Sequence, residues 1–127
     1  MSLRISKDNY NQYNRLFVYK TVTELGFTSA FSSIFFPIPY IIGKVVLSDR
    51  NTTEVTEEEI KSGYIERGIH VYTTKEEALA SKHWSETMLE CEVDPKDHVS
   101  DGEKGNVVYT KVIPTKVILR GTLEVVK

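Results

Sequence analysis

The sequence predicts an α+β fold, a mainly antiparallel sheet with two or three short helices, in a single domain over residues 1–127. Three observations carry that expectation. Several short segments, Arg15 to Thr23, Ile69 to Tyr72, Thr87 to Val93 and most of the chain after Val107, are rich in β-branched and aromatic residues. Two capping-box patterns, Thr56 with Glu59 and Thr74 with Glu77, open short helices between them. Gly and Pro punctuate the chain often enough to keep every element brief. The balance of 16 basic against 18 acidic residues gives a net charge of −2, so neither nucleic acid nor an anionic membrane is an expected partner.

Residues 1–14 are polar and read as a flexible N-terminal extension without the apolar core of a secretory signal. Arg15 to Thr23 sets Leu16, Val18, Lys20 and Val22 on one face and Phe17, Tyr19, Thr21 and Thr23 on the other, the pattern of a central strand. From Gly26 to Phe36, apolar residues at 27, 30, 31, 34 and 35 have the spacing of a short amphipathic helix, which Pro37 and Pro39 end. Tyr40 to Leu47 then leaves as a second strand. The aromatics Phe27, Phe31, Phe35, Phe36 and Tyr40 are expected in the core, with a partner-binding groove as the alternative.

Ser48 to Ser62 is long and polar, the segment expected to be most mobile, with one or two helical turns starting at Thr56. Glu57, Glu58 and Glu59 follow one another, and successive helical positions point about 100° apart, so a solvated face is expected rather than a catalytic cluster. Ile69 to Tyr72 is a short strand, and Thr74 opens a helix that runs to about His83. In Thr87 to Val93, Leu89, Cys91 and Val93 alternate with Met88, Glu90 and Glu92 until Asp94-Pro95 ends the strand. Gly102 and Gly105 bracket a turn, Val107 to Ile113 forms a strand, Pro114 interrupts, and Thr115 to Arg120 and Leu123 to Val126 are extended.

The best candidate site is the strand-to-helix junction. Gly68 permits a bend or close approach, the strand presents His70 and Tyr72 on one side, and Thr73 and Thr74 open the helix where free N–H groups favour an anion. With Arg67 beside them, Arg67, His70, Tyr72, Thr73 and Thr74 are the candidate ligand-binding residues. A structural role for His70 and Tyr72, with Thr74 and Glu77 satisfying the helix donors, is the competing expectation. Catalytic residues are not expected. Cys91 points inward with Leu89 and Val93 and lacks a neighbouring base, and His70, His83 and His98 lack metal-ligand spacing. There is no phosphate loop and no Gly-x-Ser-x-Gly elbow, so no cofactor and no metal are expected. A lone cysteine suits a reducing compartment, which makes the expected location cytoplasmic.

The order of short motifs, Tyr19-Lys20, Tyr40-Ile-Ile-Gly43-Lys44-Val45, Gly68-Ile-His70-Val71-Tyr72 before Glu76-Glu77-Ala78, Cys91-Glu-Val93 and Lys111 to Ile118, resembles small uncharacterised proteins of bacteriophages and large DNA viruses. That resemblance implies one domain and a viral or phage accessory protein, acting in the host cytoplasm and binding a protein partner or a small molecule. A second similarity, to ADP-ribosyltransferase-like folds, implies nicotinamide dinucleotide held near Arg67, His70, Tyr72 and Thr73. The late catalytic Glu of such folds has no counterpart, because Val107 to Ile118 contains no acidic residue. A non-enzymatic binding protein is therefore the expected function, with a small nucleotide-binding enzyme as the alternative.

Overall fold

The computed structural model describes residues 3–4, 16–24, 31–32 and 39–121. Their strands are β1 (Leu3–Arg4), β2 (Phe17–Glu24), β3 (Phe31–Ser32), β4 (Pro39–Tyr40), β5 (Val46–Leu47), β6 (Tyr64–Ile65), β7 (Ile69–Tyr72), β8 (Thr87–Glu92), β9 (His98–Asp101), β10 (Asn106–Tyr109) and β11 (Lys111–Leu119). Two helices, α1 (Glu57–Ser62) and α2 (Lys75–Ser81), and two 3-10 turns complete the described chain. The main sheet runs β5-β11-β8-β2-β7-β10-β9, with β3 and β4 attached to β2, and all pairings among the described strands are antiparallel. This is the α+β architecture that the patterning predicts. No helix among the described residues is long and apolar enough to cross a membrane.

The alternation in β2 fixes how the sheet is buried. Val18, Lys20 and Val22 turn to the face shared with Val71, Leu89, Cys91, Val107 and Val112, where the apolar members form the main core with Tyr40 and Val46. On the other face α2 lays Ala78 over Tyr72 and Met88, with Tyr19 and Ile118 packed alongside. A smaller cluster, Ile65, Val99 and Val108, lies under Val55. β7 is therefore buried on both faces, and all four of its residues are core.

Four expectations are corrected. The helix expected over Gly26 to Phe36 falls mostly outside the described residues, but Phe31–Ser32 is a strand paired with Thr23 and Glu24 of β2. Apolar spacing over so short a stretch does not distinguish a helix from a strand, and pairing with an existing sheet decides. Tyr40 to Leu47 is not one strand: a turn at 41–44, closed by Lys44 N–H to the Ile41 carbonyl at 3.0 Å, separates β4 from β5. Val107 to Ile113 divides at Thr110, whose N–H leaves the ladder for the Asp97 carbonyl at 2.9 Å, so β10 and β11 take different partners. Pro114 does not interrupt β11. It sits at a bulge before Lys116, where no ladder N–H is needed, and its carbonyl accepts the Gly43 N–H at 2.8 Å.

Tyr64–Ile65 is a strand too short for periodicity to register, and His98–Asp101 is a strand with one aliphatic residue, Val99, to mark it. Within the expected N-terminal extension, Leu3–Arg4 pairs with β6, and Leu123 to Val126 lies outside the described residues.

Candidate functional site

Gly68 holds φ at +124°, and a Cβ there would run into the Val108 side chain, so glycine is required for β7 to enter beside β10. His70 follows, across from Val108. Its Nε2 lies 3.1 Å from the Ile65 carbonyl and its Nδ1 3.3 Å from that of Gly68, so the N–H of either tautomer has a backbone acceptor. Burial pushes the imidazole below its usual pKa against the opposing pull of the Ile65 carbonyl, and the Lys20 charge adds to the lowering. Tyr72 pairs with Tyr19 and Asn106 and is covered by α2. Although they share a strand face, both are buried: Tyr72 packs with Ala78 and Met88, and His70 lies between the Ile65 and Gly68 carbonyls.

The helix junction is equally committed. Thr73 N–H goes to the Gly105 carbonyl at 2.9 Å, and Thr74 Oγ1 accepts the Glu77 N–H at 3.2 Å. Only half of the expected second capping box forms, because the Glu77 carboxylate lies against Gly105, in the space a Cβ would fill. Of the five candidate residues, Arg67 lines a groove beside α1.

That groove, of about 730 Å³, runs between Asp49–Thr52, α1 and the Tyr64–Arg67 segment. Its floor is organised by Arg50, 7% exposed. Nη1 and Nη2 donate to Glu59 Oε2 at 2.7 Å and Oε1 at 2.8 Å, while Nε and Nη2 donate to the Thr52 and Glu54 carbonyls. Glu59 also completes the capping box of α1, accepting from Thr56 N–H at 3.0 Å while Thr56 Oγ1 accepts from Glu59 N–H. The Arg50 guanidinium holds the Glu59 carboxyl down at about 2. With that pair neutralised, the rim carries Asp49, Glu58 and Glu66 against Arg67, and Tyr64 offers a half-exposed ring. Asp49 Oδ1 accepts the Gly68 N–H at 3.2 Å, which ties the groove to the start of β7.

Sequence patterning did not find Arg50. Its only signal is an arginine nine residues before a capping-box glutamate, which spacing rules do not read as a pair.

Elsewhere the described side chains form no triad of nucleophile, base and orienting carboxylate. Cys91 is fully buried, and burial pushes its thiol up to about 12 against the opposing Lys20 charge. His98 Nε2 meets Asp101 Oδ1 at 3.0 Å with its ring edge-on to Tyr109, and no hydroxyl or thiol is hydrogen-bonded to its ring. His83 touches Ser85 Oγ at 2.7 Å within one exposed turn. No group of three or more His, Cys, Asp or Glu among the described residues is placed to hold a metal ion. Comparison with protein-family models, with curated proteins and with solved structures gives no match.

Proposed function

We propose that the chain is a non-enzymatic binding protein whose groove beside α1 takes a basic segment of a partner protein. The observation that carries this reading is the groove itself: a floor fixed by the Arg50–Glu59 fork, a rim with surplus acid, and an exposed Tyr64 ring. A preordered floor spares a binding partner the entropy of organising it, and a Lys or Arg side chain meets the rim carboxylates and an aromatic face. The commitment of His70 to two backbone carbonyls and the burial of Tyr72 weigh against the nucleotide-binding alternative. The viral or phage setting and the host cytoplasm rest on the sequence resemblance and on the lone cysteine.

Titration of the full chain with a Lys/Arg-rich peptide and with its Glu-rich counterpart, followed by amide chemical shifts, tests the proposal. The basic peptide is expected to shift residues 49–52, 58 and 64–67 at low salt, and Glu58→Lys with Glu66→Lys to abolish the shifts while the protein stays folded. Shifts with the acidic peptide, shifts confined to other surfaces, or no shift at all would overturn it. A rise in melting temperature with NAD would favour the alternative instead.

A further inference from the structure

β2 joins the two halves of the sheet, and it joins them unequally. It pairs with β8 from Phe17 to Val22, whereas its pairing with β7 is the single step Tyr19 with Tyr72. One residue on, the ladder is replaced by a side chain: Lys20 Nζ donates to the His70 carbonyl at 2.9 Å. Lys20 is 9% exposed, and among the described residues this is its sole hydrogen bond, with no carboxylate at ion-pair distance. The Tyr40 ring lies 6.0 Å from Nζ, and Cys91 and Glu86 face it from β8 and its approach, with His70 on β7. On the opposite face α2 bridges the same seam through Tyr19, Tyr72 and Ala78.

A buried ammonium with one hydrogen bond is poorly solvated, and separating β2 from β7 would return it to water. We infer that the sheet opens at the β2–β7 seam, pivoting on the Tyr19–Tyr72 step beneath α2, and that the buried charge of Lys20 drives the opening. The blocks that part are β5-β11-β8-β2 and β7-β10-β9. Burial lowers the Lys20 amine to about 8, so water-exposed Lys20 holds its proton more tightly than seam-buried Lys20. Opening is therefore favoured at neutral pH and suppressed as pH rises toward the unperturbed value. Between pH 7 and 9 the opening constant should fall up to about ten-fold. Cys91, raised to about 12, works the other way once its exposed thiol ionises, and offsets about two-fold by pH 9. His70 titrates below its ordinary range and contributes little in that window.

Native-state hydrogen exchange of the full chain, at pH 7 and pH 9 with chemical exchange rates corrected, tests the inference. Amides of β7, β9 and β10 are expected to exchange together, faster than those of β8 and β11, and severalfold more slowly at pH 9 than at pH 7. In Lys20→Met the slowing from pH 7 to pH 9 is expected to vanish, leaving only the opposite, about two-fold Cys91 effect, whatever happens to the absolute rates, since the missing hydrogen bond and the missing charge act in opposite directions. One common opening free energy for both blocks, or a slowing between pH 7 and pH 9 that survives Lys20→Met, would overturn it. If Lys20→Met does not fold, the pH series on the parent decides alone: an unchanged gap between blocks sinks the inference.

Discussion

Arg50 shows how much one side chain can organise. Its guanidinium reaches three partners within residues 52–59: two carbonyls, and the carboxylate that also closes the α1 capping box. Removing Arg50 takes two charged donors from the part-buried Glu59 carboxylate, so Arg50→Ala should cost about 1.5–3 kcal/mol in urea unfolding. Arg50→Lys keeps the charge but not the planar fork, and should lie closer to Arg50→Ala than to the parent. Equal stability of Arg50→Lys and the parent would show that charge alone holds the segment. The same residue marks the limit of what the sequence makes legible. Gly68 announces itself as a glycine, and Cys91 follows from its place between Leu89 and Val93, because both depend on local chain geometry. The Arg50–Glu59 fork depends on how a loop folds back, and the acceptors beside the His70 ring are carbonyls set by β6 and the turn after it. No periodicity encodes either.

The two helices look alike in sequence and are held differently. Both open on a threonine N-cap, but α1 buries none of its residues, while α2 buries Ala78 against Tyr72 and Met88. What holds α1 is its capping box and Glu59 on Arg50; what holds α2 is core packing as well as its cap. Thr74→Ala should therefore lower global stability by about 1 kcal/mol, measured by thermal melting. Thr56→Ala should act locally, hastening tryptic cleavage at Lys61 with a smaller change in melting temperature. If both variants lower the melting temperature equally and Lys61 is cut no faster, α1 belongs to the cooperative core after all. Elements were legible where β-branched, aromatic and other apolar residues dominate four residues or more, as in β2, β7 and β8. They were missed where a strand lasts two residues, or where Thr110 and Pro114 redirect hydrogen bonds to distant partners.

At the scale of the molecule, opposing titrations set the pH of greatest stability. Glu59 has a depressed pKa, so its contribution is present above the unfolded carboxyl value and is lost as pH falls toward about 2. His70 is a base depressed by burial: below its unfolded value the unfolded chain binds a proton the folded chain resists, so stability drops as pH falls through that range. Lys20 follows the same sign at higher pH. Between about 8 and its unfolded value the unfolded chain holds more protons, so stability rises with pH across that window. Cys91 reverses the trend, because an acid raised to about 12 ionises first in the unfolded chain, and stability falls once pH passes the ordinary thiol value. The maximum should therefore lie near pH 9 rather than at neutrality, about 1 kcal/mol above the value at pH 7. Urea midpoints from pH 5 to 10, read by Trp84 fluorescence, measure the curve. Lys20→Met should flatten its rise from neutrality, and Cys91→Ala should remove the Cys91 contribution to its alkaline fall. A maximum at neutral pH in the parent would mean that the Lys20 ammonium finds solvation in the folded chain equal to that in water.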